Sequence, residues 1–154
     1  MSKVTVYFKK LVPEASAPVR AHEGDAGWDV SAVDHEHLGK MDAVTFPHNS
    51  YLVHTGIAVA VPKGYWIDLR ARSSVYKKGL ILANGCGVID SSYRGEVMAV
   101  FYRVMDGTPY SINDRIAQLV VQPALTTDVE FVEVDELPPS EDGRGEGGFG
   151  STGE

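Results

Sequence analysis

The sequence predicts an all-β protein, a jelly-roll-like antiparallel barrel or sandwich, and three observations carry that prediction. Short runs rich in β-branched and aromatic residues recur at near-regular spacing, at residues 4–8, 51–61, 97–102, 115–122 and 129–134. Within residues 65–71, Tyr65, Ile67 and Leu69 alternate with Trp66, Asp68 and Arg70, the period of a strand buried on one face. Helical patterning is confined to one short candidate, residues 73–78, with Ser73 or Ser74 to cap its start and Gly79 its end.

In chain order, residues 4–8 form the first strand, and Pro13 and Pro18 bracket a loop. Gly24 and Gly27 lead into a second strand that ends near Ala32. The polar run from His35 to Lys40 reads as an exposed turn, and residues 44–46 as a brief strand. A longer strand follows at 51–61, where Gly56 marks a bulge or bend, and Pro62, Lys63 and Gly64 turn the chain. Beyond strand 65–71 and the short helix, the runs 80–83 and 97–102 read as two arms of a β-hairpin. Tyr93, Arg94 and Gly95 form its tight reversal, and Asp90 stands at the end of its first arm. Strands 115–122, closed by Pro123, and 129–134 complete the series. From Leu137 the composition shifts to Pro138, Pro139 and then a glycine-dense tail that cannot build a core. The expected division is a β-domain over residues 1–136 and a flexible arm over 137–154.

The 154 residues suit a single domain, at about 150 residues each. Fourteen basic against twenty-one acidic residues leave a net charge of −7, which argues against a broad nucleic-acid footprint or an electrostatic hold on an anionic membrane. Any phosphate must therefore be held locally. Cys86 is the single cysteine and cannot form an internal disulfide, which fits a reducing compartment. Met1 to Lys10 alternates polar and apolar residues instead of opening a secretory run, and no apolar stretch is long enough to span a bilayer. The expected location is the cytoplasm, with neither membrane nor nucleic acid as partner.

Chemistry concentrates between Asn84 and Glu96. Gly85 and Gly87 lack a β-carbon, so a planar ligand can lie against the backbone there, and Asp90 can accept a proton. Taken alone, this stretch is better explained by an ordinary hairpin turn in which Asp90 and Ser91 satisfy backbone amides, since turn chemistry accounts for both residues without a substrate. Arg72, Ser73 and Ser74 form a second anion candidate beside the plainer reading of helix capping. In the tail, Gly143, Gly145 and Gly148 match a dinucleotide pattern, but no strand–turn–helix surrounds them, and Ser151 stands where a phosphate loop needs lysine. A linker has no use for Arg144, Phe149, Ser151 and Thr152 embedded in glycine. They suit a flap, with arginine on phosphate, the ring over a flat group and hydroxyls donating hydrogen bonds. Asp29 and Asp114 are isolated acids of a kind that more often serve turns or ion pairs. His35 and His37 read as surface loop, His22, His48 and His54 show no partner pattern, and Cys86 reads as a small packed residue with no histidine placed to activate it.

Together these pieces resemble the five ordered motifs of the trimeric deoxyuridine triphosphatases, which split dUTP into dUMP and pyrophosphate. The resembling segments are 26–30, 72–74, 87–95, 114–118 and 144–153, so the likeness spans most of the chain. It implies a jelly-roll subunit in a homotrimer whose three active sites are each assembled from all three chains. It also implies roles. Asp90 would orient and deprotonate the attacking water, and Tyr93 would pack under the deoxyribose, leaving no room for a 2′-hydroxyl. The backbone from Asn84 through Gly85 to Gly87, with Met98, would read the uracil edge and crowd out a 5-methyl group. Arg72, Ser73, Ser74 and Gln118 would hold phosphates, and Asp29 would help to place Mg2+ through water, the substrate phosphates holding the rest. Phe149 would stack on uracil, with Arg144, Ser151 and Thr152 on phosphate; Val88 and Gly150 complete the implied binding set. The family's activity limits uracil in DNA and supplies dUMP for dTMP synthesis. Three positions depart from the pattern: Ser92 for a second acid, Asn113 for glycine and Ala71 for glycine or proline. A dCTP deaminase of the same fold, or a bifunctional deaminase and triphosphatase, is the nearest rival, with Glu96 as its one nearby candidate acid/base, and a nucleotide-binding regulator is the rival from another class.

Overall fold

The strand-forming runs pair over long range into two antiparallel sheets in the computed structural model, which describes residues 2–33 and 50–148. One sheet holds, in order, β1 (Tyr7–Lys10), β3 (Ser50–Ala60), β7 (Glu96–Arg103) and β5 (Leu80–Leu82); the other holds β2 (Trp28–Ser31), β8 (Arg115–Pro123), β4 (Tyr65–Ala71) and β6 (Gly87–Ile89). Their inner faces meet in one core, to which the first contributes Ile57, Val59, Val97, Ala99 and Phe101 and the second Val30, Ile67, Leu69, Ile89 and Leu119. Each large apolar side chain so buried favours the fold by about 1.5–3 kcal/mol over its exposed state. This is the expected all-β sandwich.

Gly56 makes the expected bulge. Residues 55–57 stand opposite Val97 alone, because His54 pairs with Met98 and Ala58 with Glu96. Gly56 sits at φ +65, and Val12, Ala15 and Val33 occupy the space a β-carbon would need.

Four expectations are corrected. The first strand runs from Tyr7 to Lys10, not over 4–8, because its ladder to Ile57–Ala60 begins at Tyr7. The helix shrinks to a 3-10 turn, Val75–Lys78, which no side chain caps at its start and which ends on left-handed Gly79. Residues 129–134 form no strand: they pair with no strand among the described residues, and Phe131 is 100% exposed. The segment 84–96 is not a plain hairpin. Its outer arms do pair, Leu82 opposite Phe101, but β6 crosses to the other sheet and pairs with β4, Gly87 opposite Leu69. The strand expected at 44–46 and the loop histidines His35, His37 and His48 lie outside the described residues. No helix among those described is long and apolar enough to cross a membrane.

Candidate active site

Adjacent strands β2, β8 and β4 bring Asp29, Gln118 and Arg70 into one row, since Asp29 and Arg70 both pair with Gln118. Arg72 stands just past the end of β4. The Asp29 carboxylate lies between two guanidiniums, 3.4 Å from Arg72 Nε and accepting from Arg115 Nη1 at 3.1 Å. Arg72 Nη1 also donates to the Arg115 carbonyl at 3.4 Å, and Gln118 Nε2 to the Ala71 carbonyl at 3.3 Å. Two guanidiniums on one carboxylate leave a positive surplus whose directed N–H groups suit phosphate. Ser73 and Ser74 follow in the turn. Four residues of 3-10 helix carry little macrodipole, so anion attraction here comes from the arginines and not from a helix start. Arg115 was given no role from the sequence, although it lies within the resembling segment 114–118 at the head of a strand.

A cleft of about 380 Å³ is lined by residues of both sheets, among them Leu69 and Gly87 of one and Leu82, Met98 and Tyr102 of the other, with Asn84 from the turn between them. A β-carbon on Gly87 would lie 3.1 Å from Leu69 Cβ, so this glycine also serves strand packing. Gly85, at φ +68, makes the turn before β6. Val88 lies outside the cleft lining, 63% exposed. Asp90 follows β6. Its backbone carbonyl accepts the Tyr93 N–H at 3.1 Å, and its exposed carboxylate forms no hydrogen bond or ion pair with any described residue. The turn is thus closed by main chain, and the acid is not consumed by it. The Tyr93 hydroxyl donates to the Glu96 carbonyl at 2.9 Å, its ring over Gly95, where any β-carbon would overlap it. Arg94 Nη1 folds back onto the carbonyls of Ser91 and Tyr93, at 2.7 and 2.8 Å.

Among the described residues no hydrogen bond or ion pair joins the Asp29 cluster to segment 84–96. Arg144 stays within its own tail, Nε donating to the Gly147 carbonyl at 2.9 Å; Phe149, Gly150, Ser151 and Thr152 lie outside the described residues. Asp114 is a turn residue: its carboxylate accepts the Ser111 N–H at 2.9 Å and meets Lys78 at 3.4 Å, and the amide first, then the lysine, hold it below the usual carboxylate range. Asn113 before it has φ 70, a left-handed conformation that asparagine tolerates far better than most residues, which accounts for its standing in a glycine position. Behind the cluster, Lys78 lies 5.3 Å over the Tyr110 ring, whose hydroxyl is buried without a hydrogen-bond partner among the described residues. That burial pushes the phenol above its ordinary value of 10.0. Asp68, assigned to the polar face by alternation, is instead 4% exposed, with Arg70 Nε donating to both its oxygens at 2.8 Å. Cys86 is free and half-buried.

Two packed antiparallel sheets, a pair of arginines buttressed on one carboxylate, a small cleft lined from both sheets and an exposed acid just after β6 define the class, a β-sandwich with a local site suited to an anion. A family model described as dUTPase matches residues 13–153. The deoxyuridine 5'-triphosphate nucleotidohydrolase of Thermobifida fusca (strain YX) is 40% identical over 153 residues, covering 97% of this chain and 79% of that protein. That of Paramecium bursaria Chlorella virus 1 is 42% identical over 149 residues, covering 94% and 95%. The dUTPase of Staphylococcus bacteriophage 80alpha, solved with dUPNHPP, matches the structure with a TM-score of 0.74 at 27% identity, over 97% of this chain and 99% of that one. The chain belongs to the dUTPase family.

Proposed function

We propose that this protein is a dUTP diphosphatase in which Asp90 serves as general base. The observation that carries the reading is the Asp90 carboxylate itself, exposed at the end of β6 and engaged by no described residue. In the reaction it orients a water and takes its proton as the oxygen attacks the α-phosphorus in line. The bond from that phosphorus to the α–β bridging oxygen breaks, and pyrophosphate leaves with the electron pair. A carboxylate is a weak base near neutral pH, so positioning and charge stabilisation supply most of the acceleration. Arg72, Ser73, Ser74 and Gln118 bind phosphate, and Arg115 joins them. Uracil enters the cleft at Asn84, Gly85 and Gly87 against Met98, and Tyr93 screens the sugar. A buried polar group left unpaired by the wrong base costs about 1–3 kcal/mol, enough to select the base by backbone hydrogen bonds.

Asp29 bears on magnesium. Both its oxygens already face arginines, and no group of three or more His, Cys, Asp or Glu residues comes together among those described. That donor set fits an ion that keeps much of its water and is held mainly by phosphate oxygens, with Asp29 reaching it through water. When bound, magnesium neutralises phosphate charge and polarises the phosphoryl oxygen.

The working unit on this reading is a homotrimer with shared sites, built from a β-domain (1–136) and an arm (137–154) whose Arg144, Phe149, Gly150, Ser151 and Thr152 close over the nucleotide. It is supported by the absence of any bond between the Asp29 cluster and segment 84–96 within the described chain, and by exposed Phe131, Val132 and Leu137, which need cover. Acting in the cytoplasm, it would keep uracil out of DNA and provide dUMP for dTMP synthesis. Glu96 argues against a deaminase, because its carboxylate is held by His54 and by the Gly56 amide. Incubation with dUTP and with dCTP tests the reading: pyrophosphate from dUTP alone supports it, and ammonia from dCTP overturns it. Deleting all residues after Asp142 should leave a folded trimer of poor activity, and unchanged kinetics would rule out the closing arm.

A further inference from the structure

We propose that Glu96 is a positioning residue that sets the seat of Tyr93 and thereby the preference for a 2′-deoxy sugar. The inference rests on the function proposed above. Glu96 opens β7, directly after the turn that carries Tyr93 and two residues before Met98. Its side chain is 11% exposed and its carboxylate is occupied at both oxygens: His54 Nδ1 donates to Oε2 at 2.9 Å and the Gly56 N–H to Oε1 at 2.9 Å. Both donors belong to the bulge of β3, and His54 is itself 5% exposed.

That bulge has little freedom. The Thr55 hydroxyl donates to the Val97 carbonyl, the Gly56 carbonyl accepts from Leu11 N–H at 2.7 Å, and the His54 carbonyl accepts from Val33 N–H at 2.9 Å. On its other side, the Glu96 carbonyl takes the Tyr93 hydroxyl, while Gly95 offers a bare backbone to the ring. One residue therefore joins a rigid, buried anchor to the aromatic ring that would lie under the sugar. A carboxylate with both oxygens engaged and little water access is costly to disturb, so the Glu96 main chain stays in register and the ring is held at two points. Exclusion of an extra hydroxyl needs a wall that does not give. A ring free to rock would admit the ribose, and the supporting residues of a site decide which of the two it is. If the His54–Glu96 pair served only the sheet, its loss would lower stability and leave sugar preference alone.

The experiment measures kcat/KM for dUTP and for UTP, with thermal melts, in the full-length protein and in Glu96→Ala, Glu96→Gln, Tyr93→Phe and the Glu96→Ala/Tyr93→Phe pair. Glu96→Ala should lower the dUTP-to-UTP ratio by about tenfold, the worth of one well-placed hydrogen bond. Glu96→Gln keeps an acceptor for the Gly56 amide and a polar partner for His54, and should recover most of the ratio. Tyr93→Phe should lower the ratio likewise, and the double variant should fall no further than either single, because both cut one linkage. A Glu96→Ala protein with a lower melting point and an unchanged ratio overturns the proposal. Should Glu96→Ala fail to melt cooperatively, His54→Gln is judged by the same ratio, a fall supporting the proposal and no change overturning it. Absence of pyrophosphate from dUTP in the unaltered protein would overturn the proposed function and this inference with it. Hydrolysis of dUTP with an unmoved ratio in the variants overturns the inference alone.

Discussion

Around Asp29 the charges of the chain are paired with one another, Arg72 and Arg115 on either side of a single carboxylate, whereas the Asp90 carboxylate at the end of β6 meets no described partner. The first arrangement fixes the direction of two guanidiniums before any ligand arrives, which lowers the entropy lost on binding. The second keeps an acid free for a task that the fold does not claim. Changes in the first region should therefore disturb binding and act jointly, and a change in the second should remove turnover by itself.

The largest effect is expected of Asp90→Asn. On the proposed mechanism kcat falls by about 10²–10⁴-fold, the usual contribution of a general base, while affinity for a non-hydrolysable dUTP analogue moves by no more than about threefold. Steady-state kinetics and calorimetric titration check both halves. A variant that loses affinity as much as turnover would break the contrast, since Asp90 would then act as a binding residue. Next come Arg72→Ala and Arg115→Ala, each lowering kcat/KM by about 10- to 100-fold, mostly through KM. Because both pack on Asp29, the double variant should lose less than the product of the singles, and strict additivity would show two independent phosphate ligands instead of one interlocked unit.

Much of this was legible in the sequence, and what was hidden has a common cause. Period-two alternation is local, so β4 was read residue for residue and β3 and β8 to within one residue. Pairing is not local. Nothing in Gly87, Val88 and Ile89 says that they leave β7 for β4, and nothing in residues 129–134 says that no described strand pairs with them. Alternation also sent Asp68 to solvent, where Arg70 two residues on covers it. Ordered motifs carried the site further than any local pattern: Asp29, Arg72 and Gln118 do come together, although their segments are far apart in sequence. Arg115 and the link from His54 to Glu96 were missed, the latter because its partners lie 42 residues apart.

A smaller effect is expected from Tyr110→Phe, behind the arginine cluster. Its hydroxyl is buried without a described partner, so its removal should raise stability by about 1 kcal/mol, read as a higher urea midpoint. The phenol is held above its ordinary 10.0 in the fold, so the folded state resists ionisation that the unfolded chain undergoes near that pH. Stability from this group is complete below pH 10.0 and is lost as pH rises through the folded value; the phenylalanine variant should lose that part of the alkaline decline. A drop in kcat/KM would instead tie the hydroxyl to the cluster and extend the paired region inward.

Asp114→Asn should have the smallest effect, and it tests whether the paired region extends down to the turn that leads into β8. The Ser111 amide, and after it Lys78, stabilise the Asp114 carboxylate and lower its pKa from 3.8, so near that pH the folded state binds fewer protons than the unfolded chain. Stability from this group is therefore present above pH 3.8 and is lost as pH falls through the lower folded value. The variant should lose a little stability at pH 7 and nothing further on acidification through that window, so the two proteins' urea midpoints converge at low pH. The carboxylate is partly open to water, which keeps the difference small. Midpoints that run parallel down the acid limb would mean that the charge of Asp114 is immaterial and that its hydrogen bond to Ser111 alone closes the turn; a raised KM for dUTP would mean that Lys78 and Arg115 depend on that charge, joining the turn to the Asp29 cluster.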